Sequence, residues 1–334
     1  EMTSSLVGSE MCIRDSCVSG GEVQAALDAG FPADKIVFAG VGKADWEINL
    51  GLDNDIFCFN VESAVELEII NELAAAKNKV ASIALRINPE VDAHTHAKIT
   101  TGMKENKFGI NLSQLGGVLD KLKEMKNVKL IGIHSHIGSQ ITDMSSFRNL
   151  VIRFNEIQEE LEAHGVTVEN LNFGGGLGID YYHPNHLSIP AFDNYFAAIH
   201  KLLQVRPGQQ VHFEPGRSIV AQCGTLISKV LYVKEGETKK FAILDAGFTE
   251  LIRPAMYDAY HRIENISSDE AVETYDVVGP ICESSDVFGK DVELNKAHRG
   301  DLIALRSAGA YGEVMASQYN CRHLPKAYYS DTIK

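Results

Sequence analysis

An alternation of short apolar runs with amphipathic stretches constrains the fold of this 334-residue chain more than any other feature. Apolar runs of this kind lie at 36–40, 56–60, 81–87, 130–134, 171–173 and 211–213. Strands that alternate with helices form parallel sheets, so the pattern predicts an α/β fold, either a barrel or a doubly wound sheet. With residues 17–18 counted as the end of an earlier strand, we count about seven strands, one fewer than a (β/α)8 barrel requires.

The rhythm changes after Arg217, where strand-like runs follow one another with no long helical pattern between most of them, which is typical of a mainly β domain. These runs lie at 219–233, 241–245, 275–278 and 301–305. Residues 1–16 have no apolar periodicity and no clear turn chemistry. We therefore predict a tail outside the fold at 1–16, a (β/α) barrel domain at 17–217, and a C-terminal β domain at 218–334.

Charge and composition exclude several classes of protein. The formal net charge is −14, which argues against a general phosphate-binding surface and a nucleic-acid partner. Hydrophobic residues make up 45% of the chain, which excludes disorder as a class. No apolar run approaches the ~18 residues of a membrane helix. Six cysteines without a C-x-x-C pair suggest reduced thiols, so we expect a cytoplasmic protein with no membrane association.

Polar residues crowd the ends of the predicted barrel strands, the face at which barrel enzymes build their active sites. One cluster is Gly174, Gly175 and Gly176, whose lack of Cβ atoms would let backbone amides approach a phosphate. A tight turn between a strand and a helix would need the same residues. The spacing is not that of the dinucleotide-binding fingerprint, and on the glycines alone both interpretations remain open.

A second cluster contains His134, His136 and Ser139. Alternate residues of a strand share a face, so the two histidines could bind a metal ion, with His94 and His96 as further ligands. That arrangement would suit a metal-dependent hydrolase. A structural or ring-stacking histidine is at least as good an explanation, and the hydrolase leaves the β domain without a role.

A third cluster is the turn from Glu214 to Arg217, which places an acid and a base close together. The two side chains could form a local ion pair that caps the turn. Alternatively, the Glu214 carboxylate could pair with a cationic ring nitrogen of a ligand, and the Arg217 guanidinium could bind an anionic group beside it.

The second domain adds two candidates. Cys282 stands beside Glu283 and two serines, which favours a polar loop thiol over the buried small hydrophobe that a lone cysteine usually is. Tyr311 lies in A-G-A-Y-G, which suits either a hydroxyl presented to a ligand or a bend in a strand.

In this order, the motifs resemble those of the diaminopimelate decarboxylase family, pyridoxal-phosphate enzymes of the alanine-racemase-like barrel class. The resemblance spans nearly everything from Cys17 to about Asn320. The matching motifs are S-G-G-E at 19–22, G-V-G-K at 40–43, F-N-V-E-S at 59–63, L-R-I-N-P at 85–89, T-G-M-K-E-N-K-F-G-I at 101–110, H-I-G-S-Q at 136–140, G-G-G-L-G at 174–178, E-P-G-R at 214–217, L-I-R-P at 251–254, G-P-I-C-E-S-S-D at 279–286 and A-G-A-Y-G at 308–312.

The resemblance implies an incomplete (β/α)8 TIM-like barrel followed by a mainly β barrel or sandwich domain. It implies pyridoxal 5′-phosphate as cofactor, no metal, and conversion of meso-2,6-diaminopimelate to L-lysine and CO2 in lysine biosynthesis. The residues it assigns to the cofactor are His136, Ser139, Gly174, Gly175, Gly176, Glu214, Gly216, Arg217 and Tyr311. Those it assigns to the substrate are Arg217, Arg253, Tyr257, Glu283 and Tyr311.

The resemblance also implies three catalytic residues. His136 would stack on the cofactor ring, and Glu214 would pair with the pyridine nitrogen and keep it protonated. Cys282 would deliver a proton from the partner subunit of a homodimer, whose loop at 282–283 would reach the site in trans.

The chain departs from the family pattern at both ends. The family carries a Schiff-base lysine on its first barrel strand, whereas residues 1–16 contain no lysine and the first one is Lys35. Lys43 follows a different strand, and the residues after Asn320 replace the usual C-terminal motif. We therefore expect a fragment that binds pyridoxal phosphate only non-covalently, is catalytically inactive, and is poorly soluble because a missing strand exposes two sheet edges.

A non-catalytic decarboxylase-like protein that binds a ligand or a partner is the alternative from a different class. A genuine start of translation near Met2 would favour this alternative. An upstream lysine motif in the same reading frame would favour the fragment.

Overall fold

The computed structural model describes residues 14–91, 107–186 and 191–332, and its first unit is a curled parallel sheet. The strands are β1 (Asp15–Cys17), β2 (Ile36–Phe38), β3 (Cys58–Val61), β4 (Ala81–Asn88), β5 (Ile110–Asn111), β6 (Val128–His134), β7 (Asn170–Asn172) and β8 (Gln210–His212). Their order is β1-β2-β3-β4-β6-β7-β8, and the short β5 pairs with β4. The path therefore has the seven strands counted from the sequence, and the prediction of an incomplete TIM-like barrel is confirmed.

Helices connect these strands, as the apolar spacing predicts. They are α1 (Gly20–Asp28), α2 (Asp45–Asp53), α3 (Ala64–Ala76), α4 (Leu112–Glu124), α5 (Met144–Ala163), α6 (Phe192–Leu202) and α7 (Gly216–Val220). Ser19 and Ser63 cap α1 and α3 by accepting hydrogen bonds from the backbone amides three residues later. Apolar side chains such as Leu67 and Phe154 are fully buried between helices and sheet.

The first strand begins earlier than the predicted domain boundary. Asp15 and Ser16 belong to β1, although the sequence assigns them to the tail. Arg14 donates to the imidazole of His212 at 2.8–2.9 Å, and Ser16 Oγ donates to Glu214 Oε1 at 3.0 Å. These side chains connect the start of β1 to the end of β8, although β1 and β8 form no strand pair within the described ranges.

The second unit is a mixed six-stranded sheet with its own apolar core. It contains β9 (Leu226–Glu235), β10 (Lys240–Leu244), the short helix α8 (Arg253–Tyr257), β11 (Ile263–Asn265), β12 (Val272–Val278), β13 (Val287–Asn295) and β14 (Leu302–Leu305). The strand order is β11-β14-β9-β10-β12-β13. The mainly β domain predicted after residue 217 is therefore present.

The predicted strand at 219–233 is wrong at its start. Residues 216–220 form α7, a 3-10 turn covers 221–223, and the strand begins only at Leu226. The apolar pair at 219–220 is short enough to suit either structure. This helix carries the chain from the barrel mouth into the second unit.

His94 and His96, together with residues 101–106 of one matching motif, lie outside the described residues. Within the ranges that the structure describes, no helix is both long enough and apolar enough to span a bilayer.

Candidate active site

The turn at 214–217 separates two cavities at the mouth of the barrel. Glu214 lines a cavity of about 520 Å³ inside the barrel, together with Asn172 and Ser16. Arg217 lines a cavity of about 840 Å³ that also receives residues from the second unit. Because the carboxyl ends of parallel strands meet at one face, short loops bring all of these side chains together.

The three glycines after β7 are required by close backbone contact. A Cβ at Gly175 would lie 2.1 Å from the carbonyl oxygen of Glu214. Gly174 and Gly176 have φ values of +64° and +107°, which disfavour residues with side chains. A tight turn is thus sufficient to explain these glycines, and it locks the β7 loop against the β8 loop.

Glu214 is an ionised carboxylate in a polar pocket. Its Oε1 accepts hydrogen bonds from Ser16 Oγ and Asn172 Nδ2, each at 3.0 Å, and its Oε2 lies 3.3 Å from His134 Nε2. Burial alone would raise the pKa of Glu214, but the His134 imidazole and the Asn172 amide hold it well below its usual range. The carboxylate can therefore face a cationic partner without taking up a proton itself.

His136 is a neutral imidazole beside the glycine turn. Its Nδ1 accepts a hydrogen bond from the backbone amide of Gly175 at 3.1 Å. Burial, helped by the nearby guanidinium of Arg86, lowers its pKa to about 4. A neutral ring at this position is suited to stacking on another planar ring.

Two buried guanidinium groups face the larger cavity. Arg217 donates to Ser139 Oγ at 2.8 and 3.2 Å and to Tyr181 Oη at 2.8 Å. Arg253 donates to His261 Nε2 at 2.8 Å, and burial lowers its pKa. Their exposed fractions are only 7% and 5%, yet no carboxylate of the described residues forms an ion pair with either. Buried charges are normally paired, so this arrangement favours an anionic ligand.

The remaining predicted residues of this cavity are Tyr257 and Tyr311. Both line it, and the ring of Tyr311 lies 4.9 Å from the Arg217 guanidinium. Gly216 is the first residue of α7, and a Cβ there would meet no atom within 4 Å. Arg253 thus shares the larger cavity with Arg217, whereas Glu214 lines the smaller one and packs against Gly175.

Cys282 and Glu283 are not among the residues that line either cavity. Both are exposed, and Glu283 accepts a hydrogen bond from Tyr319 Oη at 2.7 Å. Asp286 holds their loop by accepting backbone hydrogen bonds from Phe248 and Ile281 at 2.7 and 2.8 Å. The single chain therefore presents this loop outward.

Lys43 is fully engaged in the structure. Its Nζ donates to the carbonyl oxygens of Gly40 and Asn60 and to Glu66 Oε1, at 2.8, 2.7 and 2.5 Å. These three bonds use every donor of the ammonium group. No lysine of the described ranges lines either cavity.

Sequence reasoning missed several residues of the site. Asn172 and Ser16 anchor Glu214, while Tyr181 and His261 contact the arginines. Asn172 lies within the apolar run predicted at 171–173, which is a usable signal, but nothing in the spacing singles out the other three. The metal interpretation of His134 gains no support, since that imidazole contacts Glu214 and the described residues contain no cluster suited to a metal ion.

Acid should destabilise the fold through its buried histidines. Burial lowers the pKa of His136, His212 and His261 from 6.5 to about 4. The unfolded chain then binds more protons between these values, so the free energy of unfolding should fall as the pH drops from about 6.5 to about 4. Glu214, whose pKa is depressed, adds a further loss below about 4.5. Urea titrations at a series of pH values measure this, and a flat profile would contradict it; His261→Gln should reduce the slope.

Comparison with known proteins agrees with this fold and site. Residues 13–221 match the family described as pyridoxal-dependent decarboxylase, pyridoxal binding domain. The diaminopimelate decarboxylase of Bacteroides thetaiotaomicron is 68% identical over 317 residues, which cover 95% of this chain and 82% of that protein. That of Zymomonas mobilis is 43% identical over 309 residues, which cover 92% of this chain and 72% of that protein.

Solved structures give the same result. The diaminopimelate decarboxylase of Helicobacter pylori complexed with L-lysine has a TM-score of 0.85 and 42% identity, covering 92% of this chain and 76% of that chain. The M. jannaschii enzyme in complex with L-lysine has a TM-score of 0.84 and 41% identity, covering 92% and 72%.

The half-barrel, the β domain and the polar barrel mouth together define a pyridoxal-dependent decarboxylase. Such enzymes are carboxy-lyases that use pyridoxal phosphate as cofactor. Within this class, the chain belongs to the diaminopimelate decarboxylase family, which confirms the resemblance read from its motifs.

Proposed function

We propose that this site binds pyridoxal phosphate and meso-2,6-diaminopimelate, and that the reaction it serves is decarboxylation of the latter to L-lysine. The observation that carries the proposal is the pair of buried guanidinium groups, Arg217 and Arg253, which face one cavity without a carboxylate partner among the described residues. meso-2,6-Diaminopimelate carries an amino group and a carboxylate at each end, so its distal carboxylate can pair with these two guanidinium groups.

The residues at the barrel mouth fit the cofactor. Arg217 and the hydroxyl of Ser139, already 2.8 Å apart, offer charge and hydrogen bonds to its phosphate. The loop amides at 174–176 and Gly216 would complete this phosphate site. His136 is neutral and suited to stack on the ring, and Tyr311 lines the larger cavity.

Glu214 sets the electronic state of the cofactor in this proposal. A carboxylate that stays ionised beside the ring nitrogen favours the protonated pyridine. When bound, pyridoxal phosphate supplies an electron sink for the electron pair left when CO2 departs. Ser16 and Asn172 orient the carboxylate, so the protein controls this charge through fixed hydrogen bonds.

The carboxylate and ammonium groups at the distal end of the substrate are assigned mainly to residues of the second unit. Arg253 and Tyr257, with Arg217, would hold the distal carboxylate, because all three line the same cavity. Tyr311, which also lines it, would contact cofactor and substrate. Glu283 would meet the distal ammonium.

We propose that Cys282 returns a proton to the substrate carbon and that the loop at 282–283 acts in trans. Both residues are exposed and lie outside the cavity linings of their own chain, which supports a contribution to a partner's site in a homodimer. We also propose a cytoplasmic location, supported by the free state of the five cysteines within the described ranges.

The test uses two small ligands that differ only in a carboxylate. L-lysine keeps the carboxylate that decarboxylation leaves behind, and cadaverine has the same carbon chain and both amines without it. Isothermal titration of the full chain saturated with pyridoxal phosphate should give at least tenfold tighter binding of L-lysine, about 1.4 kcal/mol. Equal affinities would reject the proposed substrate.

One observation favours a second candidate, a ligand-binding protein without catalysis. No described lysine lines either cavity, and capture of the cofactor requires an amine. We expect the 334-residue chain to bind pyridoxal phosphate reversibly, so that dialysis after borohydride treatment removes it and its absorbance. A reduced adduct on a lysine peptide by mass spectrometry, with formation of L-lysine from meso-diaminopimelate, would reject this candidate.

A further inference from the structure

His261 is a buried residue at the junction of the two units, and its hydrogen bonds define its protonation state. Its Nδ1 lies 2.8 Å from the carbonyl oxygen of Arg306, which can only accept. Its Nε2 lies 2.8 Å from Nη1 of Arg253, which can only donate. The ring must therefore carry its proton on Nδ1 and present a lone pair at Nε2.

The sheet of the second unit fixes this ring. His261 stands just before β11, Arg306 stands just after β14, and these two strands pair antiparallel. The backbone amide of Arg306 also donates to the carbonyl oxygen of Arg262 at 2.9 Å. The imidazole is buried, with an exposed fraction of 1%.

The barrel holds the opposite side of the same guanidinium. Tyr181 packs edge-on against the His261 ring, with centroids 5.2 Å apart, and lies 5.0 Å below the Arg253 guanidinium. The Tyr181 hydroxyl accepts from Arg217 at 2.8 Å. Arg253 is therefore clamped between a histidine of one unit and a tyrosine of the other.

We propose that His261 is a positioning residue that fixes the guanidinium of Arg253 for the carboxylate that the substrate keeps. This inference rests on the function proposed above. Arg253 has further N–H donors besides the one bonded to His261, and a guanidinium can offer two of them to one carboxylate. An arginine held in one rotamer loses less freedom when the ligand binds, so its contribution to affinity is larger.

Two substitutions test separately the hydrogen bond of His261 to Arg306 and its hydrogen bond to Arg253. In His261→Asn, the amide nitrogen can replace Nδ1 and donate to Arg306, but the acceptor for Arg253 is lost. In His261→Gln, the side-chain oxygen reaches the position of Nε2 and restores that acceptor. His200→Asn is the matched control, because His200 is exposed on α6 and lines neither cavity.

The full chain saturated with pyridoxal phosphate is titrated with L-lysine and with cadaverine. We expect His261→Asn to weaken L-lysine binding about tenfold and to leave cadaverine binding within twofold. His261→Gln should recover most of the L-lysine affinity, and His200→Asn should change neither ligand. Loss of affinity for both ligands alike, or no loss for L-lysine, would overturn the positioning role.

The same titrations distinguish failure of this inference from failure of the proposed function. If Arg253→Gln abolishes the preference for L-lysine and His261→Asn keeps it, only the positioning role is wrong. If the unaltered chain shows no preference for L-lysine, both are wrong.

A measurement on the unaltered chain decides the point even if a variant does not fold. Nitrogen-15 spectra of histidine-labelled protein at neutral pH report the tautomer of each ring. We expect His261 to be neutral with its proton on Nδ1. A proton on Nε2 would overturn the inference, because Nε2 could then not accept from Arg253.

Discussion

Glu214→Gln should weaken binding of pyridoxal phosphate by about 10- to 150-fold, because a hydrogen bond to a charged group contributes about 1.5–3 kcal/mol. Glutamine keeps an oxygen for Ser16 or Asn172 but removes the negative charge that would face the ring nitrogen. The bound cofactor should also shift from the ring-protonated absorbance spectrum to the neutral one. Absorbance titration of the full chain at pH 7.5 or so measures both effects.

Glu169→Gln is the matched control for this change. Glu169 is exposed and precedes β7, at the opposite end of the barrel strands from Glu214. The control should bind the cofactor as the unaltered chain does. Equal affinity and an unchanged spectrum in Glu214→Gln would contradict the role assigned to this carboxylate.

Gly175→Ala should destabilise the protein by about 1–3 kcal/mol and weaken cofactor binding at the same time. The added Cβ would lie 2.1 Å from a backbone oxygen, the carbonyl of Glu214, so one of the two loops must move. The displaced loop carries the carboxylate of Glu214 with it. Urea unfolding and cofactor titration of the same sample measure the two effects together.

Gly216→Ala provides the control within the same site. A Cβ at Gly216 would contact nothing within 4 Å, and alanine suits the start of α7, so the free energy of unfolding should stay within ~0.5 kcal/mol of the original. If Gly175→Ala were as harmless to folding as Gly216→Ala, the close packing of the β7 and β8 loops would be contradicted.

The barrel could be predicted because its signal is local and periodic. Buried strands such as β4 read as continuous apolar runs, and the helices between them repeat their apolar positions with helical spacing. The start of α7 was missed because an apolar pair of two residues has no periodicity to read. The start of β1 at Asp15 was missed because a strand of three residues is too short to give a recognisable pattern.

Only part of the candidate site could be predicted from the sequence, because some of its residues act through contacts that form only in the folded chain. Glu214, Arg217 and Arg253 are polar residues in short motifs, and such residues draw attention in any sequence. His261 and Tyr181 act through contacts made only after the two units pack, 80 residues apart in the chain by their numbers. The glycines at 174–176 were ambiguous because a tight turn and a phosphate site require the same freedom from Cβ atoms.

A crystal structure of the full chain with pyridoxal phosphate and L-lysine is the most direct test of the central claim, that one region of the barrel mouth accepts both molecules. We expect the cofactor ring to lie against His136 with its nitrogen towards Glu214, and the lysine carboxylate to lie on Arg253. Density for either molecule only at other places, or Arg253 without a carboxylate while lysine is bound, would contradict it.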